Sequence, residues 1–484
     1  MKWEPVIGIE VHVELATESK MFCGCAVVFG AEPNTSVCPV CLGLPGALPV
    51  PNRRAIEWIM AIGLALNCEV ADRSVFHRKN YFYADLPKNY QISQFDVPVC
   101  HDGYLDIIVE GQTRRVGIER AHMEEDTGKS THVGEGGRIH SATATLLDFN
   151  RSGVPLVEIV SKPDLRSAIE AREYAIELRQ LVSELGVSDA RLEEGSIRFD
   201  ANVSVRTVGS DELGTKVEIK NMNSFRSLER AVDFEIARQI EALEAGGELV
   251  QETRHWDEES AVTHPMRTKE GSSDYRYFTE PDLVAMVMDE AWVDEVRARL
   301  PELPAARRSR YVNAGLDVDL AGVLSDAATE LRDVYEAAVA GGASPRSAAN
   351  WVTGEVTAWL RRTETEPADI PLTGAQLAEL VAIMEDGTVS SSAAKEVLGG
   401  VLAGEGDPRS VAESRDLVQI SDSSALEAAV DEALASNPDA VESYQAGEAK
   451  VVGFLVGQVM RATQGKADPQ LVNEMLREKL DSLS

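Results

Sequence analysis

The sequence predicts an α+β protein: a curved, largely antiparallel sheet backed by helices, followed by all-α domains. Three observations carry this. Two stretches alternate at the period of a strand; two long amphipathic segments lie between and after them; and the composition changes near residue 290. In VIGIEVHVEL, Ile7, Ile9, Val11, Val13 and Leu15 share one face, and Glu10, His12 and Glu14 share the other. SIRFDANVSV repeats the pattern, with Ile197, Phe199, Ala201, Val203 and Val205 opposite Ser196, Arg198, Asp200, Asn202 and Ser204. RSAIEAREYAIELRQLVSELG reads as a helix closed by Gly186 in a left-handed C-cap, and SFRSLERAVDFEIARQIEALEAGG as a second ending at a Gly pair. From Pro301 onward Ala, Leu and Glu recur at helical spacing, with start signals at Ser344–Pro345 and Thr373. The expected domains are 1–293, an α+β unit; 294–406, helical; and 407–484, a small helical tail.

A chain of 484 residues exceeds one ordinary core, in line with that division. No apolar run approaches the roughly 20 residues that cross a bilayer, and MKWEPVIGIEVHVEL lacks the apolar stretch of a secretion signal, so a cytoplasmic address is expected. The net charge of −33 argues against a protein that coats nucleic acid, because phosphate binding is driven by Lys and Arg; a local basic surface remains compatible with it.

The polar face of the first strand carries the strongest chemical signal. Glu10, His12 and Glu14 project from one side of a sheet, and carboxylates flanking an imidazole suit a divalent cation; a solvated strand face is the plain alternative. AHMEEDTGKS adds His122, Glu124, Glu125 and Asp126, a cluster that repels itself unless a cation sits among it. Glu158 and the Glu193–Glu194 pair adjoin strand-like runs, while Lys79, Lys88, Arg151, Arg198 and Lys220 supply positive charge. Acids for a metal and bases for phosphate, on strands of one sheet, are the equipment of phosphoryl transfer. No Walker A or GxGxxG run is present, which disfavours the common nucleotide folds.

Cys23, Cys25, Cys38 and Cys41 form CGC and CPVC pairs 12 residues apart, a pattern that points to a structural Zn²⁺ tetrathiolate, with unligated thiols as the alternative; Cys68 and Cys100 read as core residues. RKNYFYADLPKNYQISQFD interleaves Tyr81, Phe82, Tyr83 and Tyr90 with Lys79, Lys88 and several amides, suited either to stacking a nucleotide or to packing a loop between strands.

IGIEVHVEL, RKNYFYADLPKNYQISQ, HMEEDTGKS, DFNRSGVPLVEIVSKPD, EEGSIRFDANVSVR, EIKNMNSF and GFLVGQVM closely resemble, in the same order, motifs of the B-subunit family of glutamyl/aspartyl-tRNA amidotransferases, and the resemblance spans essentially the whole chain. It implies a cradle-like domain similar to glutamine synthetase, a helical domain and a YqeY-like tail that contacts tRNA. It implies a heterotrimer with an amidase subunit, which frees ammonia from glutamine, and a small tethering subunit. The implied reaction is ATP-dependent phosphorylation of the side-chain carboxylate of misacylated Glu-tRNA(Gln) or Asp-tRNA(Asn), then amidation. Carried over by motif, Glu10, His12 and Glu125 would be Mg²⁺ ligands and catalytic with Lys79; Lys79, Glu124, Arg151, Glu158, Glu194 and Arg198 would bind ATP; and the four cysteines would bind zinc. An ATP-dependent amide ligase for a small carboxylate and a non-catalytic tRNA-binding protein are the rival readings.

Overall fold

A computed structural model of the chain describes residues 2–133, 143–266, 275–419, 423–446, 448, 450–463 and 466–482. It divides into two compact units, Met1–Pro304 and Ala305–Ser484.

The first unit holds every strand found among the described residues. In chain order these are β1 (Trp3–Glu14), β2 (Glu69–Val70), β3 (Arg73–Ser74), β4 (His77–Asn80), β5 (Tyr90–Ser93), β6 (Cys100–Val109), β7 (Gln112–Glu125), β8 (Lys129–Val133), β9 (Ala144–Asp148), β10 (Pro155–Ser161), β11 (Ile197–Thr207), β12 (Val217–Lys220), β13 (Glu252–Asp257), β14 (Val262–Pro265), β15 (Phe278–Thr279) and β16 (Met286–Val287). Nine of them form one sheet in the order β14-β13-β12-β11-β1-β10-β7-β6-β2, antiparallel throughout except between β12 and β13. β1 is central because it is long and its inward residues are all apolar: Ile7, Ile9, Val11 and Val13 are fully buried.

Those residues share a core with helices α1 (Arg53–Ala65), α2 (Ala168–Glu184) and α3 (Phe225–Glu244), whose Ile59, Ile62, Tyr174, Leu178, Ala231 and Val232 are buried. α1 packs on β6 and β7, α3 on β11, and α2 on β6 and α3. The caps are local. Asn52, Ser167 and Ser224 accept backbone N–H groups at the three N-termini, each saving about 1 kcal/mol over an alanine. Gly186 and Gly246 follow α2 and α3 at φ +64 and +77, the left-handed conformation expected of Gly186. α4 (Glu290–Arg297) closes the unit against α1. With helices on one face, the other face of the sheet, which carries Glu10, His12 and Glu14, is left for chemistry.

The second unit is helical throughout its described residues. Helices α5 (Pro304–Asn313), α6 (Val318–Ser325), α7 (Thr329–Ala340), α8 (Pro345–Trp351), α9 (Thr357–Thr363), α10 (Gly374–Glu385), α11 (Ser391–Leu402) and α12 (Pro408–Ser414) enclose one core, with a π-helical turn at Val352–Val356 joining α8 to α9. Thr373 and Gln376 make a reciprocal capping box on α10. Ser344 precedes Pro345 at the first position of α8, but its hydroxyl donates to Glu385 Oε1 at 2.5 Å instead of capping the helix. α13 (Ser423–Ala435), α14 (Pro438–Gln445), α15 (Val451–Ala462) and α16 (Pro469–Ser482) build a separate small core around Leu426, Leu455 and Leu476. α12 packs on α10 and α11, with Val411 and Ala412 fully buried, so the last core begins beyond Leu417 and not at residue 407. Along α15, Gly453 and Gly457 face open space and Phe454 is half exposed.

Candidate functional site

Strand register decides what meets on the open face. His12 of β1 lies opposite Glu158 of β10 on one side and Arg198 of β11 on the other, and Glu158 lies opposite His122 of β7. Directly paired residues point to the same face, so His12, Glu158, His122 and Arg198 form one row across four strands. Glu124, two residues along β7, shares that face.

His12, Glu124 and Glu158 offer ligand atoms within 4.8 Å of one another. Glu158 Oε2 lies 3.3 Å from His122 Nε2 and 3.8 Å from His12 Nε2. A second layer orients Glu124. The β4–β5 hairpin pairs Lys79 with Gln91, so these two and Ser93 share a face, and all three bond to this carboxylate: Lys79 Nζ at 3.1 Å, Gln91 Nε2 at 2.9 Å and Ser93 Oγ at 2.9 Å. The electrostatics follow. Burial would raise both carboxyls, but Lys79 holds Glu124 well below its ordinary range, and His122 holds Glu158 at about 2. Burial opposes the charge on His122, yet Glu158 and Glu124 lift it to about 9; Lys79 is likewise raised by Glu124 and Glu158 despite its burial. Glu124, Glu158, His122 and Lys79 thus form an ionised set of acids and cations, with His122 Nδ1 buried and unbonded.

Of the expected metal trio, the fold brings only His12 to this centre. Glu10 sits opposite Asp200 and Val160, one strand period along, where Asn202 Nδ2 donates to it at 2.8 Å and burial, then Glu158, raises its pKa. Glu125 follows Glu124 in an extended strand and so faces away: its carboxylate takes the Ile92 N–H at 2.9 Å and the ammonium of buried Lys88. Glu124 and Glu158, expected among the nucleotide contacts, are the two carboxylates that lie within 4.8 Å of His12 and could hold a metal ion with it.

Beside the row lies a cavity of about 740 Å³, within the roughly 300–1,000 Å³ of small-molecule sites. His12, Lys79, Glu124, Arg151, Glu194, Arg198, Asp200 and Lys220 line it. Asp126, named in the acidic cluster but not among the expected site residues, is buried, and Arg198 Nη2 reaches it at 3.0 Å and Arg151 Nε at 3.6 Å. Arg151 also bonds the carbonyls of Thr127 and Gly128, both at 3.1 Å. Burial, then the adjoining Asp126 carboxyl, lifts Glu14 to about 8. Lys220 bridges Asp200 at 2.6 Å and Glu218 at 2.9 Å, and Glu194 pairs with Arg191 at 2.6 Å. Tyr81 lines the cavity and meets Tyr275 edge-on, while Phe82 and Tyr83 are exposed.

The four cysteines converge at a second place. Cys41 Sγ lies 3.5 Å from Cys23, 3.7 Å from Cys38 and 3.8 Å from Cys25. A tetrahedron of sulfurs at the usual Zn–S distance has edges of about 3.8 Å, so the donor set fits zinc. The hydrogen bond from Cys23, aided by Lys20, holds Cys41 down at about 4. Cys68 and Cys100 are buried away from this cluster. Cys38→Ser is expected to lower both zinc content and thermal stability, since structural zinc binding is folding free energy of about 10–16 kcal/mol in small peptides. Elemental analysis of the unsubstituted protein, purified without chelators and found free of zinc, would rule the site out.

The described helices include none long and apolar enough to cross a membrane. Residues 5–294 match the GatB/GatE catalytic domain, and residues 333–480 the GatB domain. The chain is 51% identical over 483 residues to the B subunit of aspartyl/glutamyl-tRNA(Asn/Gln) amidotransferase from Carboxydothermus hydrogenoformans, covering 100% of both chains. It is 53% identical to the protein of that name from Moorella thermoacetica and 52% identical to that from Geotalea uraniireducens, each covering 99% of this chain and 100% of the relative. With both domains matched in order and half of all residues shared end to end, the chain belongs to the GatB/GatE family.

Proposed function

We propose that this chain is the ATP-using component of a tRNA-dependent amidotransferase, activating the side-chain carboxylate of misacylated Glu-tRNA(Gln) or Asp-tRNA(Asn) in the cavity beside His12. One observation carries the reading: the row His12–Glu158–His122–Glu124 faces Lys79, Arg151 and Arg198 around a cavity of nucleotide size, in a chain whose relatives are named as B subunits of such enzymes. A carboxylate is a poor acyl donor to ammonia because its leaving group would be oxide. If a carboxylate oxygen attacks the γ-phosphorus of ATP, the bond to the β-phosphate oxygen breaks and ADP departs. Ammonia nitrogen then attacks the carbonyl carbon, the bond to the phosphoryl oxygen breaks, and inorganic phosphate leaves.

Lys79, Arg151 and Arg198 bind and align the phosphates and offset charge on the transferring group. Lys79 can do so because its neighbours keep it charged in a buried place. A Mg²⁺ ion held by His12, Glu124 and Glu158 would neutralise phosphate oxygens. The activated acyl group hydrolyses unless water is kept from it. Ammonia has to come from a partner, in this reading an amidase subunit freeing it from glutamine, in a cytoplasmic heterotrimer completed by a small tethering subunit.

The two neighbouring glutamates separate by experiment. Glu124→Gln is expected to lower kcat for aminoacyl-tRNA-dependent ATP hydrolysis by about 100-fold or more in the protein that stays folded, and to lower thermal stability as well, because it strands the Lys79 ammonium. Glu125→Gln strands the Lys88 ammonium, a change of the kind that costs about 3–5 kcal/mol. Full amidation by Glu124→Gln would remove that carboxylate from the mechanism.

The tail is proposed to touch tRNA by shape and backbone through the open Gly453–Phe454–Gly457 face of α15. A chain truncated after Leu417 keeps the second core, and is expected to bind ATP normally while its KM for aminoacyl-tRNA rises. An unchanged KM would show that the tail makes no such contact.

A further inference from the structure

Lys20 is 1% exposed, and a buried ammonium costs several kcal/mol unless its donors are met. Its Nζ donates to the carbonyl oxygen of Ser36 at 2.8 Å, to that of Phe149 at 3.3 Å, and to Cys41 Sγ at 3.5 Å. Ser36 lies between the two cysteine pairs, and Phe149 opens the turn that carries Arg151. One side chain therefore spends its three donors on the cysteine loop, a metal-facing sulfur and the Arg151 turn.

The backbone draws the same connection. Lys20 N–H bonds the Cys25 carbonyl at 2.9 Å, and Met21 N–H bonds that of Gly153 at 2.7 Å. Gly153 N–H bonds the carbonyl of Asp126, the residue whose carboxylate Arg151 and Arg198 share. Gly153 is at φ +84, a conformation open to glycine at little cost, and a Cβ there would lie 3.6 Å from the Lys20 stem. The loop between the cysteine pairs is also stitched to the start of the turn. Asn34 Oδ1 takes the Phe149 N–H and Asn150 Oδ1 takes the Ser36 N–H, both at 2.8 Å, and Asn150 Nδ2 donates to the Glu32 carbonyl at 2.7 Å.

We infer that Lys20 is a positioning residue: it locks the four-cysteine loop to the Phe149–Val154 turn, so that zinc in the loop sets where Arg151 stands in the cavity. The catalytic half of this rests on the reading of the cavity as a phosphoryl-transfer site; the mechanical half does not. Arg151 holds its place through backbone carbonyls and one carboxylate, so a turn that drifts carries the guanidinium with it.

The test uses the full-length chain, purified with the partner proteins that travel with it, as Lys20→Met and Lys20→Arg beside Cys38→Ser. Zinc per chain, amide hydrogen exchange across residues 149–154, and kcat and KM for ATP are measured. Lys20→Met is expected to retain zinc, to exchange at Gly153 and Val154 faster by on the order of tenfold, and to lose kcat by a similar factor with KM changed less. Lys20→Arg is expected to restore part of both. Faster exchange with kcat unchanged would uphold the mechanical link and count against the catalytic role of Arg151. Unchanged exchange with zinc in place overturns the proposal. So does a Lys20→Met chain that loses zinc and then matches Cys38→Ser in exchange, because Lys20 would serve the cysteine loop alone. Should Lys20→Met fail to fold, zinc is stripped from the unsubstituted protein with a chelator: faster exchange across 149–154 supports the link, and no change overturns it.

Discussion

A slip of one residue between β1 and β10 would turn His12 and Glu158 to opposite faces, and the register His12↔Glu158↔His122 is the constraint on which the rest of the site depends. Apolar residues enforce it. Ile7, Ile9, Val11 and Val13 are buried against the helices, so a one-residue slip would expose them and bury Glu10, His12 and Glu14 in their place. At about 1.5–3 kcal/mol for each large apolar side chain, the core fixes the register far more firmly than the polar row could. The chemistry of the open face is a by-product of packing on the closed one.

That division explains what could be read in advance. The alternation of β1 and β11, the helices α2 and α3 with their glycine ends, and the helical second unit are local patterns, and each appears where its residues put it. The cysteine tetrad was legible because a short loop brings its members together. The choice between Glu124 and Glu125 was not. Both are acidic and buried, and it is the β4–β5 hairpin that sets their surroundings, bringing Lys79, Gln91 and Ser93 to the Glu124 carboxylate and the Ile92 N–H to that of Glu125. α12 likewise looks like any short helix in the sequence, and its membership of the second core is a tertiary fact. Lys20 gave no signal, since an isolated lysine is by default a surface residue.

The strong negative charge and a phosphate-binding reading are compatible because they act at different distances. The −33 belongs to the whole chain, and exposed charges are screened beyond roughly 8–10 Å at physiological salt. Inside the cavity, Lys79, Arg151, Arg198 and Lys220 each stand beside a carboxylate that orients them. A ligand that brings its own negative charge would meet cations already in position. The same pairing makes the site intolerant of single substitutions, because removing either partner strands the other.

The central claim is that the side-chain carboxylate is activated by phosphoryl transfer, and the oxygen atoms record whether it is. Glu-tRNA carrying ¹⁸O in its side-chain carboxylate, turned over with ATP and glutamine by the complex containing this chain, is analysed by mass spectrometry of the released inorganic phosphate. The account requires one ¹⁸O to move from the carboxylate into that phosphate for each amide formed. Amide formation with unlabelled phosphate would contradict it, whatever the cavity binds.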